Sequence, residues 1–493
     1  MKLILQLIAA FLLMPQNTAA QTRIAVASDI HVMAPSLLPD EAKKRYPWMS
    51  YYASQRKMLE QSADLFDQLK TTLLDSKPDI LFITGDLTKD GEQASHDYVK
   101  AGLETLRDAG IKVLVIPGNH DFGGEGNHKQ FTVDGTTTDV PVLAASDFAT
   151  YYADYGYTGS TTDPNGSLSY VAEPENGLVV LAIDSHTATI GNNTLTWLCD
   201  QAKAAHDDGK QVIAMMHHPL FPHVQGLGQY ISTYAVNGYE TIRNSLIEAG
   251  VSIILTGHFH TSDIAKDWND NPDKAIYDIN TGSLISYPCD YRMLTLSKDR
   301  QQLSISTATL TPTGMTEEDS KSWLKTRLKT LIKAKINSSK YASFFTQQSK
   351  EHYAEIGANA FILHAEGDEH TKEDAATILG EVDEDNILKL LLGIILHSML
   401  EDKSNYGDPT HEDQTDDRTL TIDLSQNEKT AFIKGDANGD HKVDIADIVE
   451  VVNFLDDKPS SHFNKQAADA NDNGIIDPND ITAISSIILT PQT

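Results

Sequence analysis

Short apolar runs alternate with amphipathic stretches from Arg23 to about Leu310. The runs are RIAVASD, DILFITGD, KVLVIPGN, LVVLAIDS, QVIAMMHH, SIILTGHF and AIYDINTGS. Each is near-continuously apolar and stops at polar or glycine residues, as expected of strands covered on both faces. Between several of them, MLEQSADLFDQLKTTLL and DYVKAGLETLRDAG carry apolar residues at three- and four-residue spacing and predict helices. The alternation predicts an α/β fold whose chemistry gathers at strand ends. From about Thr316 to Lys403 the period changes. SKSWLKTRLKTLIKAKI, YASFFTQQSKEHYAEIGANAFIL and DEDNILKLLLGIILHSMLED predict a small all-α domain, with Phe344, Phe345 and Tyr353 in its core. His364 and His370, in HAEGDEH, resemble a metal pair only superficially. Residues 404–433 are polar and acidic, strand-like only at TLTIDL, and form a linker. Beyond Lys434 one short motif occurs twice.

The first twenty residues, MKLILQLIAAFLLMPQNTAA, join one lysine, a short apolar core and a small-residue end. That pattern predicts an export signal cut near Ala20, and a periplasmic, cell-surface or secreted protein. The apolar run is about half the ~20 residues a bilayer span needs, and no other stretch is long enough. The expected boundaries are 1–20 for the signal, 21–312 for the α/β domain and 313–404 for the helical domain, with a linker at 405–433 and the repeat at 434–490. A net charge of −31 argues against an electrostatic grip on a nucleic acid polymer. It reads either as solubility or as carboxylates collected for cations, and the position of the acids decides. The two cysteines, Cys199 and Cys289, make no disulfide framework and are expected as free thiols.

The strand ends carry the candidate chemistry. In order they present Asp29-Ile30-His31, Gly85-Asp86, Gly118-Asn119-His120-Asp121, His217-His218-Pro219 and Gly257-His258-Phe259-His260. Residues i and i+2 of an extended segment point the same way, so Asp29 with His31, and His258 with His260, can each serve one ion. The glycines before Asp86, Asn119 and His258 let the backbone turn sharply and bring the ligand close. Carboxylate plus imidazole suits a first-row transition metal, and a carboxylate such as Asp86 can bridge two ions. Two such ions about 3.5–4 Å apart can clamp a phosphoryl group during in-line displacement.

Together DxH, GD, GNHD, HHP and GHxH resemble the calcineurin-like metallophosphoesterase superfamily, over roughly residues 23–310. The resemblance implies two mixed sheets flanked by helices, an αββα sandwich, with a dimetal site at the strand ends. It implies one ion on Asp29, His31, Asp86 and His260 and another on Asp86, Asn119, His217 and His258, with Asp86 bridging. His218 would face substrate or pack nearby. His120 resembles the family's general acid, and Asp121 would accept its other N–H and keep it protonated. The implied reaction is in-line attack by a metal-bridging hydroxide, with His120 protonating the leaving oxygen. Purple acid phosphatases add a tyrosine ligand three residues after the bridging aspartate. Lys89 stands there in this chain, which disfavours a tyrosinate–iron(III) centre and leaves iron, manganese or zinc.

SDIHVMAP, GDLTKDGE and DFATYYADYGY, with the appended helices, most resemble secreted bacterial cyclic-nucleotide phosphodiesterases. That implies a small phosphodiester substrate. Asp90 and His96 lie near Asp86 and read as surface residues, with substrate contact the other reading. A phosphomonoesterase and a sphingomyelinase-like phosphodiesterase are alternatives. From another class, a surface attachment protein acting through its tail is a third reading.

In the tail, Asp436, Asn438, Asp440, Asp444 and Asp447 occupy positions 1, 3, 5, 9 and 12 of a loop, and Asp469, Asn471, Asn473, Asp477 and Asp480 repeat the spacing. Oxygen ligands at alternating positions before an apolar helix suit Ca²⁺. The pair resembles type I dockerin modules, which implies two Ca²⁺ and a cohesin-type protein partner. Asn473 lacks the charge of an aspartate at that position. Ile445-Ala446 and Pro478-Asn479 stand where the family commonly has hydroxyl residues.

Overall fold

The computed structural model describes residues 21–124, 126–224, 234–268, 274–339, 342–367, 377–378, 380, 395–396, 398–400, 416–424, 434–438, 442–456, 458, 460, 463–471 and 473–489. The expected export signal, most of the expected linker, His370 and Asp440 lie outside them. The chain forms two compact units, up to Asp423 and from Leu424.

The first unit holds fifteen strands in chain order: β1 (Thr22–Ala27), β2 (Ile80–Ile83), β3 (Lys112–Val115), β4 (Lys129–Phe131), β5 (Thr137–Asp139), β6 (Thr161–Thr162), β7 (Tyr170–Glu175), β8 (Leu178–Ile183), β9 (Gln211–Met216), β10 (Ile253–Thr256), β11 (Asp263–Trp268), β12 (Ala275–Asn280), β13 (Asp290–Leu296), β14 (Gln302–Thr309) and β15 (Thr419–Asp423). Its longer helices are α1 (Tyr46–Ala53), α2 (Ser62–Ser76), α3 (Gln93–Asp108), α4 (Asn192–Asp207), α5 (Tyr239–Glu248), α6 (Glu317–Ser338) and α7 (Gln347–Glu366).

Both large sheets are mixed. The six-stranded sheet runs β15-β14-β13-β1-β2-β3, and the seven-stranded sheet runs β11-β12-β10-β9-β8-β7-β6. β1, β2 and β3 are parallel, and so are β8, β9, β10 and β12; antiparallel strands complete one edge of the first sheet, beyond β1, and both edges of the second. Every residue of β8 and β9 is buried, which requires a layer on each face. Val179, Leu181 and Ile183 pack with Leu195, Leu198 and Cys199 of α4 and with Ile242 and Leu246 of α5. The alternate residues face the other way, toward the six-stranded sheet. Tyr170 of β7 reaches across and donates to the Val115 carbonyl of β3 at 2.9 Å. This is the expected αββα arrangement. Cys199 and Cys289 are buried free thiols.

Two expectations change. The helical stretch is not a body of its own. Leu324 and Leu328 of α6 and Tyr353, Ile356 and Phe361 of α7 share one core with Phe259 and Tyr287 of the α/β layers. Phe345 packs against that core, and His364 is buried with Nε2 at 3.4 Å from Asp263 Oδ2. Part of the expected linker is β15, an antiparallel partner of β14. The buried Arg292 ties this segment down by donating to the Asp417 carbonyl at 2.7 Å, and Asp417 Oδ1 accepts from Ile264 N.

In the second unit, α8 (Ile445–Leu455) and α9 (Pro478–Leu489) enclose a small core of Ala437, Val451, Ala468, Ala470 and Ile484.

Candidate metal centre

The expected ligands leave the C-terminal ends of β1, β2, β3, β9 and β10. Strands β1–β3 belong to one sheet and β9–β10 to the other, so the centre sits where the two sheets meet at one end. Five side-chain-bearing residues there have left-handed backbone: Asp29 (φ 49), His31 (φ 36), Asp86 (φ 51), His258 (φ 70) and His260 (φ 67). Each such position costs about 1–3 kcal/mol, and outliers clustered at one place mark a functional site. The glycines act by close approach. A Cβ on Gly118 would stand 2.2 Å from Asp86 Oδ1, and one on Gly257 would stand 1.8 Å from Ser28 Oγ.

The donor atoms converge in two groups. Asp29, His31 and His260 each offer an atom within 4.8 Å of the others, and so do Asp86, His217 and His258. His31 Nε2 lies 3.2 Å from His260 Nε2, which lies 3.2 Å from Asp29 Oδ1. In the second group, His217 Nε2 and His258 Nδ1 each lie 3.1 Å from Asn119 Oδ1 and 3.3 Å from one another. Asp86 Oδ2 stands between the groups, 3.4 Å from His31 Nε2 and 3.4 Å from His217 Nε2.

This arrangement fits cations. The Thr88 carbonyl faces His31 Nδ1 at 3.3 Å and the Thr84 carbonyl faces His217 Nδ1 at 2.9 Å. A proton held on each Nδ1 leaves the Nε2 lone pair aimed inward, the usual support for a ligating imidazole. Asp29 Oδ1 is buried with no hydrogen-bond donor, a position that would be costly without a cation. Burial works against ionised Asp29 and Asp86, yet the surrounding imidazoles hold both carboxyls well below their usual range. Burial also keeps His31 and His258 neutral and takes His260 down to about 4. At His217 burial is outweighed by the Asp86 carboxylate, which raises the imidazole to about 9.

His120 borders the same place, its ring 4.8 Å from that of His31. Its backbone N–H donates to Asp86 Oδ1 at 2.8 Å. The expected orienter, Asp121, is elsewhere. Its carboxylate accepts from Gly118 N, Leu87 N, Thr88 N and Thr88 Oγ1 and fastens the third strand end to the second. The carboxylate beside the His120 ring is Asp90, with Oδ1 at 3.6 Å from Nδ1. Asp90 is also tied to the 122–128 loop by accepting from Asn127 N. The surface reading of Asp90 and His96 does not hold, because both are buried. His96 spans Tyr152 Oη at 2.8 Å and the Asp121 carbonyl at 2.9 Å. His218 does not face the opening. It is buried behind His258, ring centroids 4.2 Å apart, with Nδ1 3.4 Å from Ser185 Oγ. Successive residues leaving β9 point to opposite sides, so His217 turns inward and His218 turns away.

Sequence reasoning missed Arg56 and Lys57. With His120, His258, His260 and Leu331 they line a cavity of about 260 Å³ over the centre. Lys57 Nζ lies 3.3 Å from His120 Nε2, and burial draws its ammonium down to about 8.

In the second unit, the two loops repeat one hydrogen-bond pair. Asp447 accepts from Asn438 N at 3.1 Å and Asp444 N at 2.8 Å; Asp480 accepts from Asn471 N at 3.2 Å and Asp477 N at 2.9 Å. Asp436 and Asp469 open the loops, and Asp469 accepts from Asn473 N at 3.0 Å.

Residues 22–262 match the calcineurin-like phosphoesterase family, and residues 434–489 match the dockerin type I domain. A Rhodococcus erythropolis protein described as "Probable cyclic nucleotide phosphodiesterase" is 26% identical over 196 residues, 38% of this chain and 54% of that one. This chain thus spans about half the length of that relative. Among solved structures, a dimetal phosphatase from Danio rerio aligns with a TM-score of 0.39 at 12% identity, over 58% of this chain and 96% of that one. A purple acid phosphatase from yellow lupin (Lupinus luteus) seeds aligns with a TM-score of 0.39 at 12% identity, over 61% and 52%. The chain therefore carries a calcineurin-like phosphoesterase domain over residues 22–262 and a dockerin type I domain over residues 434–489.

Proposed function

We propose that the protein is an exported phosphodiesterase acting on cyclic nucleotides. One ion would be held by Asp29, His31, Asp86 and His260, and the other by Asp86, Asn119, His217 and His258. The observation that carries this is the convergence of these donor atoms around Asp86 Oδ2, with His120 alongside. Iron, manganese or zinc bound there would activate water and neutralise phosphoryl charge. The chain supplies the rest. His120 is the general acid: its Nε2 borders the cavity and delivers a proton to the leaving oxygen as the P–O bond breaks. Asp90 faces Nδ1 and orients the ring for that transfer. The relative's description supports the cyclic-nucleotide class. A phosphomonoesterase is the second reading, favoured by two cations, Arg56 and Lys57, in the cavity.

The test is a screen of cyclic and linear nucleotides, nucleotide sugars, phospholipids and phosphomonoesters on protein stripped by chelator and reloaded. Stripping should abolish turnover, and manganese, iron or zinc should restore it. Cyclic nucleotides should exceed monoesters in kcat/KM by about tenfold or more. Faster turnover of monoesters would overturn the diesterase reading.

For the tail, we infer that Asp436, Asn438, Asp440, Asp444 and Asp447 bind one Ca²⁺ and Asp469, Asn471, Asn473, Asp477 and Asp480 a second. The partner is a cohesin-type protein. Ile445, Val449 and Val452, at 71%, 51% and 42% exposure, form an apolar stripe along α8 suited to a protein partner. Calorimetric titration of the full chain should give two calcium equivalents, and Asp480→Ala should leave one. Two equivalents in that variant would remove the assignment.

A further inference from the structure

We propose that Arg56 and Lys57 form a cationic clamp that grips the free oxygens of the phosphoryl group over the metal centre. The proposal rests on the phosphoester hydrolase reading and extends it to substrate recognition. Both residues lie on the turn after α1 and line the cavity with His120, His258 and His260. Lys57 is 8% exposed, and its ammonium lies 3.3 Å from an imidazole nitrogen, His120 Nε2. The Arg56 guanidinium lies 6.0 Å over the Phe361 ring, and among the described residues neither cation makes an ion pair. The carboxylates at hand face histidines instead: Asp90 faces His120 at 3.6 Å, and Asp86 faces His217 at 3.4 Å.

A buried ammonium beside a half-buried guanidinium, with no carboxylate paired to either, is expensive to keep. In the protein as it stands, Asp29 and Asp86 offset part of that charge. Divalent ions seated on those carboxylates would remove the offset. An arriving phosphoryl anion would then be the compensating charge. A guanidinium fork and an ammonium suit phosphoryl oxygens, the first through paired N–H groups and the second as a compact charge.

The turn is held rigidly, as recognition without reorganisation requires. Met58 N donates to the Ile285 carbonyl at 2.7 Å, and Ser286 Oγ donates to the Arg56 carbonyl at 3.2 Å. From α6, Arg327 donates to the Ala53 carbonyl at 2.8 Å and lies 5.3 Å over the Tyr52 ring. The helical pair thus fixes the clamp against the strand ends. The ligand class is a phosphoryl group with at least two unesterified oxygens, found in diesters, monoesters and inorganic phosphate alike.

Inorganic phosphate is the probe, titrated calorimetrically into the metal-loaded full chain and used as a competitive inhibitor. Lys57→Met and Arg56→Gln should each weaken phosphate binding about tenfold or more. KM should rise in step, with the metal content equal to wild type by elemental analysis. Lys57→Arg should recover part of the binding. Bis-nitrophenyl and nitrophenyl phosphate run side by side show whether the clamp favours the singly or the doubly charged ester. Unchanged phosphate affinity in both metal-loaded variants would overturn the clamp. So would loss of metal from the variants, or a fall in kcat alone. Wild-type protein that binds phosphate but hydrolyses no phosphoester would sink the functional reading and leave the clamp standing.

Discussion

Asp86→Ala protein should purify folded but without either transition metal, and its turnover should drop by at least about 10³-fold. Asp86 Oδ2 lies 3.4 Å from the inward nitrogens of His31 and His217, one from each donor group. Removing it would take the shared ligand from both proposed ions at once. Its Oδ1 also accepts the His120 backbone N–H, so the turn bearing the proton donor loosens with it. Asp86→Asn keeps the shape and removes only the charge, and should lose most of the metal too. Elemental analysis decides the matter: two ions per chain in Asp86→Ala would end the bridging assignment, whatever the activity.

His120→Ala should separate substrates by leaving group. On alkyl esters, whose departing oxygen needs a proton, kcat should fall by about 10²–10⁴-fold. On nitrophenyl esters, whose anion departs unaided, the same variant should lose about tenfold or less. Asp90→Asn should follow this pattern in milder form, because Asp90 is the carboxylate beside His120 Nδ1. Asp121→Asn should instead lower stability, because four donors converge on that carboxylate. An equal loss on both ester types would remove His120 from proton transfer.

The convergence of the expected donors was readable in the sequence because each piece follows a buried strand, where spacing and a glycine dictate direction. The partner of His120 was not. Asp121 adjoins it in the chain, but the turn folds that carboxylate back onto Gly118 N. Asp90 arrives from another strand end, a relation that spacing does not encode. His218 was ambiguous for the same local reason: adjacency to His217 says nothing about which side of the strand each takes. Arg56 and Lys57 look like any solvated pair of cations until α6 and the strand-end loops enclose them. Helical periodicity identified the apolar faces of α6 and α7 but not what covers them, so one shared core read as a separate domain. β15 is five residues long, too short to stand out within an acidic stretch.

That short strand has a consequence for dissecting the molecule. β15 completes the six-stranded sheet from a point in the chain beyond the helical pair. A fragment ending near residue 312 would bare the β14 edge over residues 302–306, an open template for mispairing between copies. Shuffling of tails between enzymes of this build, in nature or at the bench, should therefore succeed only at junctions after Asp423.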